Sequence, residues 1–197
     1  MSELIKISKL RPTQITIGFS EVSARAKQIA ALGKKEQKDY IDERIVPCVT
    51  GPKNNLYIID RHHMCRALLE ADHDTVRGKV VEDLSRLDKD EFWRFMDLRG
   101  WAHPFDAAGC RLTTADLPKA IEDLCDDPYR GLAGFLRRDH GFKKEDTPFE
   151  EFIWADFLRY RIDRKALEAD YAKAKQNALK LARSPEASHM PGWTGNR

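Results

Sequence analysis

The chain has 197 residues, enough for one medium domain, or a domain with an appendage, and for a real buried core. Apolar residues make up 42% and charged residues 34%, the balance of a globular protein, and 34 basic against 32 acidic residues leave a net charge of +2. That near-neutrality excludes a global field that would draw in nucleic acid, and no apolar run is long enough to span a bilayer.

LIKISKL alternates apolar and polar residues and is predicted as a half-buried strand. After Pro12-Thr13-Gln14 comes a short apolar run, ITIGF; Ser20 then opens a helix through Val22, Ala26 and Ile29, with Gly33 as its C-cap. KKEQKDYIDER is predicted as a short second helix. VPCVTG and LYIID read as strands of a hairpin, because GPKNN between them supplies turn conformations. From Arg61 the spacing turns helical, with Met64, Ala67, Leu68 and Ala71 on one face, and VRGKVVEDL follows as a strand.

The remainder reads as helices over DKDEFWRFMDLRG, TADLPKAIEDLC, DPYRGLAGFLRRDHG, TPFEEFIWADFLRYRI and one long DRKALEADYAKAKQNALKLARS. Trp93, Trp101, Trp154 and Phe157 fall at helical spacings and are expected in the core. The expected organisation is an α+β core over 1–86, a helical extension packed on it over 87–183, and a flexible tail over 184–197. MSELIKISKL has no apolar signal region, which points to a cytoplasmic protein without a membrane anchor. Cys48, Cys65, Cys110 and Cys125 have neither C-x-x-C nor zinc spacing and read as reduced, structural thiols.

The stretch LYIIDRHHMCRALLEA switches from strand to helix within a residue or two. A helix that starts there leaves its first backbone N–H groups without intrahelical partners, and these donors with the helix dipole suit an anion. Asp60 is the expected N-cap. Arg61, His62 and His63 stand in the first turn, where a cation opposes the dipole and so asks for a reason; a bound phosphate is one. The alternative is a plain cap, with Arg61 and the histidines solvated or hydrogen-bonded locally.

Taken in order, Leu10-Arg11-Pro12-Thr13-Gln14, Pro47-x-Val49, Tyr57-x-Ile59-Asp60 and Arg61-His62-His63-Met64-Cys65-Arg66-Ala67 resemble the core signature of the ParB and sulfiredoxin superfamily. More narrowly the chain is similar to the ParB-like nuclease family, bacterial proteins with an Asp-Arg-His-His motif. DDPYRGLAGFLRR and TPFEEFIWADFLR resemble that family's helical extension, so the likeness runs to the end of the ADFLR helix. It implies a small mixed sheet of ParB/sulfiredoxin type with helices, followed by a helical C-terminal extension. It also implies that the strand-to-helix element holds the phosphates of a nucleotide, as it does in relatives that take CTP, ATP or ADP. The superfamily's forms are Gly-x-x-Arg or Asp-Gly-His-His-Arg. Asp60, His62 and His63 match the second; Arg61 stands for the Gly and Met64 for the Arg. Sulfiredoxin's nucleophilic Cys falls on His62, so sulfinic-acid reduction is not expected.

On this reading Asp60, His62 and His63 are the catalytic candidates, and Arg61, His62, His63, Met64, Arg66 and Gln14 surround the nucleotide or phosphate. Asp60 is a base or the holder of a magnesium ion that accompanies the nucleotide, and Asp42 and Glu43 are candidate second carboxylates. The activity would be phosphoryl transfer or hydrolysis. A metal-dependent nuclease is the alternative, drawing on His103 or Asp106, although adjacent helical histidines point about 100° apart and fit one metal poorly. A non-catalytic DNA-associated module is the third reading, resting on Arg130, Arg137, Arg138, Lys143 and Lys144 with Tyr129 and Phe142 beside them. Arg159 and Arg161, near Asp156 and Asp163, read as surface pairs of little energetic worth.

Overall fold

The computed structural model describes residues 2–195 and shows a mixed α+β chain in two compact units. One unit holds the chain up to Ile17 together with Val22–Cys125; the other holds Gly18–Glu21 together with the chain from Asp126 onward.

The first unit is built on a five-stranded sheet. Its strands are β1 (Glu3–Lys6), β2 (Leu10–Arg11), β4 (Val46–Gly51), β5 (Asn55–Ile58) and β6 (Thr75–Asp83), in the order β1-β6-β4-β5-β2. LIKISKL is thus not one strand: a 3-10 turn over Ile7–Lys9 separates β1 from β2. The predicted hairpin is present, β4 and β5 being antiparallel, whereas β4–β6 and β2–β5 are parallel. β1 runs antiparallel to β6 along Thr75–Gly78 only. Further along, β6 inserts Val81 as an extra residue, since Cys48 faces Val80 and Val49 faces Glu82. A second, two-stranded ladder joins β3 (Thr16–Ile17) and β7 (Cys125–Asp126), with the Cys125 N–H donating to the Ile15 carbonyl.

Helices α1 (Phe19–Ala30), α2 (Lys34–Glu43), α3 (His62–Glu70) and α4 (Lys89–Leu98) complete this part of the chain. Gly33 caps differently from expectation. Its backbone is extended (φ −68°, ψ 158°) and starts α2, its N–H donating to the Glu36 carboxylate at 2.8 Å. Helix α4 starts as predicted, with the Asp88 carboxylate accepting from the Asp90 and Glu91 N–H groups.

The boundary expected near residue 86 lies at Cys125 instead. The physical reason is packing: Phe92 and Met96 of α4 and Ala102 close one face of the sheet over Val49 and Tyr57. TADLPKAIEDLC forms no α-helix but two 3-10 turns, Thr114–Asp116 and Ile121–Asp123. Pro118 accounts for the break, because it forces Leu117 into the extended region (φ −61°, ψ 132°) and offers no N–H.

The second unit contains α5 (Pro128–Arg138), α6 (Glu150–Arg159), α7 (Arg164–Ala169) and α8 (Tyr171–Arg183). The single long helix predicted at the end is two. Asp170 is non-helical (φ −145°, ψ 85°), and its carboxylate caps α8 by accepting the Lys173 N–H. The core here gathers Leu132, Leu136, Trp154 and Leu158 with Ala174, Ala178 and Ala182. Trp154 is fully buried, stacks on Phe142 with ring centroids 4.7 Å apart, and donates its Nε1–H to the Pro191 carbonyl. A Cβ on Gly18 would lie 2.5 Å from the Gly131 backbone, so this close approach requires glycine.

The segment expected as a flexible tail is held as far as it is described. Pro185–Ala187 form a 3-10 turn, Ala187 and Met190 are buried, and the Trp193 Nε1–H donates to the Ser184 carbonyl. Asn196 and Arg197 lie outside the described residues.

Candidate functional site

The corner after β5 is where the sequence places the chemistry, and the backbone there is unusual. The Ile59 N–H still donates to the Pro47 carbonyl, which keeps the chain in the sheet for one residue beyond β5. Asp60 follows with an exposed side chain, its Oδ1 accepting the Arg61 N–H at 2.6 Å. Arg61 then adopts φ 70°, ψ 19°, the left-handed region that a residue with a Cβ enters at a cost of about 1–2 kcal/mol. Arg61, not Asp60 as expected, is the N-cap residue of α3, and its side chain makes no capping hydrogen bond. The left-handed turn at Arg61 sets the helix start one residue later than expected, and the Asp60 carboxylate accepts the Arg61 N–H.

His62 is buried to 5% exposure, and its Nε2 accepts the Thr13 N–H at 3.1 Å. A backbone N–H can only donate, so Nε2 carries the lone pair and, in the neutral ring, the proton sits on Nδ1. The Thr13 hydroxyl donates to the Ile58 carbonyl at 2.8 Å and lies 3.4 Å from the same Nε2. The Thr13 carbonyl in turn accepts the His103 N–H, and Gln14 and His103 form a short parallel bridge. His62 thus ties the Thr13–Gln14 turn to the start of α3. Sequence reasoning singled out Gln14 in this box and missed Thr13; a backbone N–H donating to a histidine has no signature in the sequence.

The other candidates separate. His63 stands half-buried in the first turn of α3, while Met64 is turned into the core at 1% exposure. Arg66 donates to the Glu122 carbonyl at 2.5 Å and pairs with Glu70 at 3.4 Å, one turn down the helix. Asp42 accepts two bonds from Arg77, and Glu43 pairs with Arg44 at the surface. The His103 ring stacks on Phe105 at 4.3 Å, and the Asp106 carboxylate closes its own turn by accepting from Ala108 and Cys110. Among the described residues no three His, Cys, Asp or Glu side chains gather around a common point.

Burial pushes the Cys48 thiol up to about 11, against a weaker opposing hydrogen bond with the Lys79 backbone. The Cys65 thiol is raised chiefly by burial, with Cys48 and Asp60 adding to the shift and Arg61 opposing it. Both thiols are buried, whereas Cys110 and Cys125 are exposed. A colorimetric thiol titration of the native protein near neutral pH is therefore expected to count Cys110 and Cys125, with Cys48 and Cys65 reacting only after denaturant is added. Fast labelling of Cys65 in the folded protein would contradict the packing described.

Of the basic cluster of the second unit Arg130 is buried, whereas Arg137, Arg138, Lys143 and Lys144 are exposed. Arg130 is 6% exposed and pairs with Glu151 at 2.5 Å, Arg137 pairs with the same carboxylate, and Arg138 pairs with Glu21 at 2.9 Å. Tyr129 and Phe142, expected to flank a surface patch, are buried. The sequence shows charge along α5 but not the acids of α1 and α6 that meet it. Arg159 likewise is no surface pair: at 13% side-chain exposure it binds Asp127, itself 1% exposed, at 2.9 Å. No described helix is long and apolar enough to cross a membrane.

The family model described as "Putative ParB-like nuclease" matches residues 4–160, a span that includes the corner and ends just after α6. Protein Atu1540 from Agrobacterium tumefaciens, known from a crystal structure, is 47% identical, with a TM-score of 0.93 over 100% of this chain and 98% of that one. The C-terminally truncated chromosome-partitioning protein ParB from Caulobacter crescentus, solved in complex with CTP-gamma-S, is 13% identical, with a TM-score of 0.35 over 92% of this chain and 97% of that one. No match was found among curated proteins.

Proposed function

Since the chain belongs to the ParB-like nuclease family, we propose that it binds a phosphorylated ligand, a nucleotide, at the N-terminus of α3, with phosphoryl transfer or hydrolysis as its activity. The observation that supports this reading most is the left-handed Arg61 at the head of α3, directly after the exposed Asp60. A strained backbone at an exposed corner is the kind of feature that functional sites collect. In this position the superfamily carries Gly, and Arg adds a guanidinium whose geometry suits phosphate.

On this reading each residue of the corner has a role. Arg61 and His63 donate to phosphate oxygens at the mouth of the helix. His62 acts as a positioning residue through Thr13, because its Nε2 is already engaged in the interior. Asp60, exposed and next to Arg61, orients the attacking group or holds the magnesium ion that accompanies the nucleotide. Met64 and Arg66 are held elsewhere and support the helix rather than touch the ligand.

The test is a thermal-shift series with nucleoside mono-, di- and triphosphates, with and without magnesium. A ligand present at a hundred times its dissociation constant should stabilise the protein by about 2.7 kcal/mol. Arg61→Gly should lose most of that response while its ligand-free stability holds or rises by up to about 1 kcal/mol, since glycine adopts the left-handed region without strain. Nucleotides that leave the melting temperature unmoved, or an Arg61→Gly protein that responds like the parent, would defeat the proposal. A shift seen only with nucleic acid, and abolished by salt, would favour the nuclease reading instead.

A further inference from the structure

The first unit carries a concave feature away from the corner. A cleft of about 360 Å³ opens between α2 and the paired strands β1 and β6, and it reaches the loop that leaves the far end of α3 at His73. Helix α3 rises about 12 Å from His62 to Glu70, at 1.5 Å per residue, and His73 lies beyond its end.

Both sides of the cleft carry apolar and cationic groups. From α2 come Ile41 and, on the same helix, Lys34 and Lys38; from the strands come Leu4, 60% exposed, and its cross-strand partner Arg77. His73, Thr75 and Gln37 are further polar groups of the lining. Asp42 is the one carboxylate among the lining residues, and it is occupied: the Arg77 Nε and Nη2 both donate to its Oδ1, at 2.9 and 2.6 Å. Asp42 also fixes Arg77 in place, so that this guanidinium is preorganised in the wall.

Lys34 and Lys38 lie four residues apart on α2 and so share one face, where like charges cost the helix a few tenths of a kcal/mol. Neither forms an ion pair among the described residues. A cleft that sets two apolar side chains among two ammonium groups without ion pairs and a fixed guanidinium is complementary to a small molecule with an apolar body and an acidic head. The volume lies at the lower end of the range for small-molecule sites.

We propose that this cleft binds a small organic acid, a carboxylate or phosphate monoester whose apolar part is about the size of a phenyl ring. The acid head meets Lys34, Lys38 and Arg77, and the body lies on Ile41 and Leu4. This site is independent of the nucleotide reading, since it shares no residue with the α3 corner.

Calorimetric titration of the full chain with phenyl phosphate, phenylacetate and the neutral benzyl alcohol tests it. At least one acid should bind saturably, with benzyl alcohol about tenfold weaker or worse. Which acid binds identifies the head group. The exposed double variant Lys34→Gln, Lys38→Gln should lower the acid's affinity about tenfold, while Arg61→Gly leaves it unchanged. No saturable binding of either acid at millimolar concentration, equal binding of the alcohol, or an unaffected lysine double variant would each overturn the proposal. Loss of binding in Arg61→Gly would do the same by moving the ligand to the α3 corner.

Discussion

Glu151→Gln is expected to destabilise the protein by about 3–5 kcal/mol, the largest single effect foreseen for this chain. The substitution keeps the shape of the side chain and removes its charge. What remains is the Arg130 guanidinium, 6% exposed, lying over the Phe152 ring at 4.5 Å. Its Nε and Nη1 are buried and make no hydrogen bond among the described residues, so the Glu151 carboxylate is the counterion that keeps this charge tolerable. The loss of the exposed Arg137 pair adds little. A urea titration measures the cost. The same physics makes a second claim: replacing both partners with apolar residues, Arg130→Met with Glu151→Leu, should recover most of the loss, because the penalty belongs to the stranded charge and not to the missing pair. If the double variant were no better than the single one, the account given for Arg130 would be wrong.

The second large effect falls at the corner. His62→Ala should cost about 2–4 kcal/mol, from a cavity in place of a buried ring and from a buried Thr13 N–H left without its acceptor. His62→Gln, which restores an acceptor, should regain part of this. His63→Ala should leave stability within about 0.5 kcal/mol, as expected for a half-buried side chain, yet weaken the nucleotide response. The two neighbours thus divide, one into architecture and one into ligand contact. Equal stability losses in the two variants would remove that division, as would a His63→Ala protein with an undiminished nucleotide shift.

Adjacent histidines with opposite fates show how far the sequence could be read. The abrupt change from strand to helical period located the corner, and the mixed sheet with its hairpin followed from the turn residues of GPKNN. The orientation of each histidine did not follow, because residues one apart on a helix point in different directions and only the packing shows which faces inward. The left-handed Arg61 left no trace in composition or periodicity; its one signal is that related motifs carry Gly there. Charge along α5 and α6 was legible as charge, but what it meets is a tertiary fact, and so Arg130 and Arg159 passed for surface residues. Pro118 and Asp170 are a different case: both breaks were written in the chain, and a stricter reading of the residue before proline and of a mid-helix aspartate would have found them.

Beyond Gly78, β6 continues for five residues with no strand of β1 alongside, and Val80 and Val81 are partly exposed there. A flat stretch of that kind would template the association of one molecule with the next, the first step towards fibrils. Three charges, Lys79, Glu82 and Asp83, together with the kink that the inserted Val81 gives the backbone, make this margin a poor template. The irregularity at Val81 therefore acts as a safeguard for solubility.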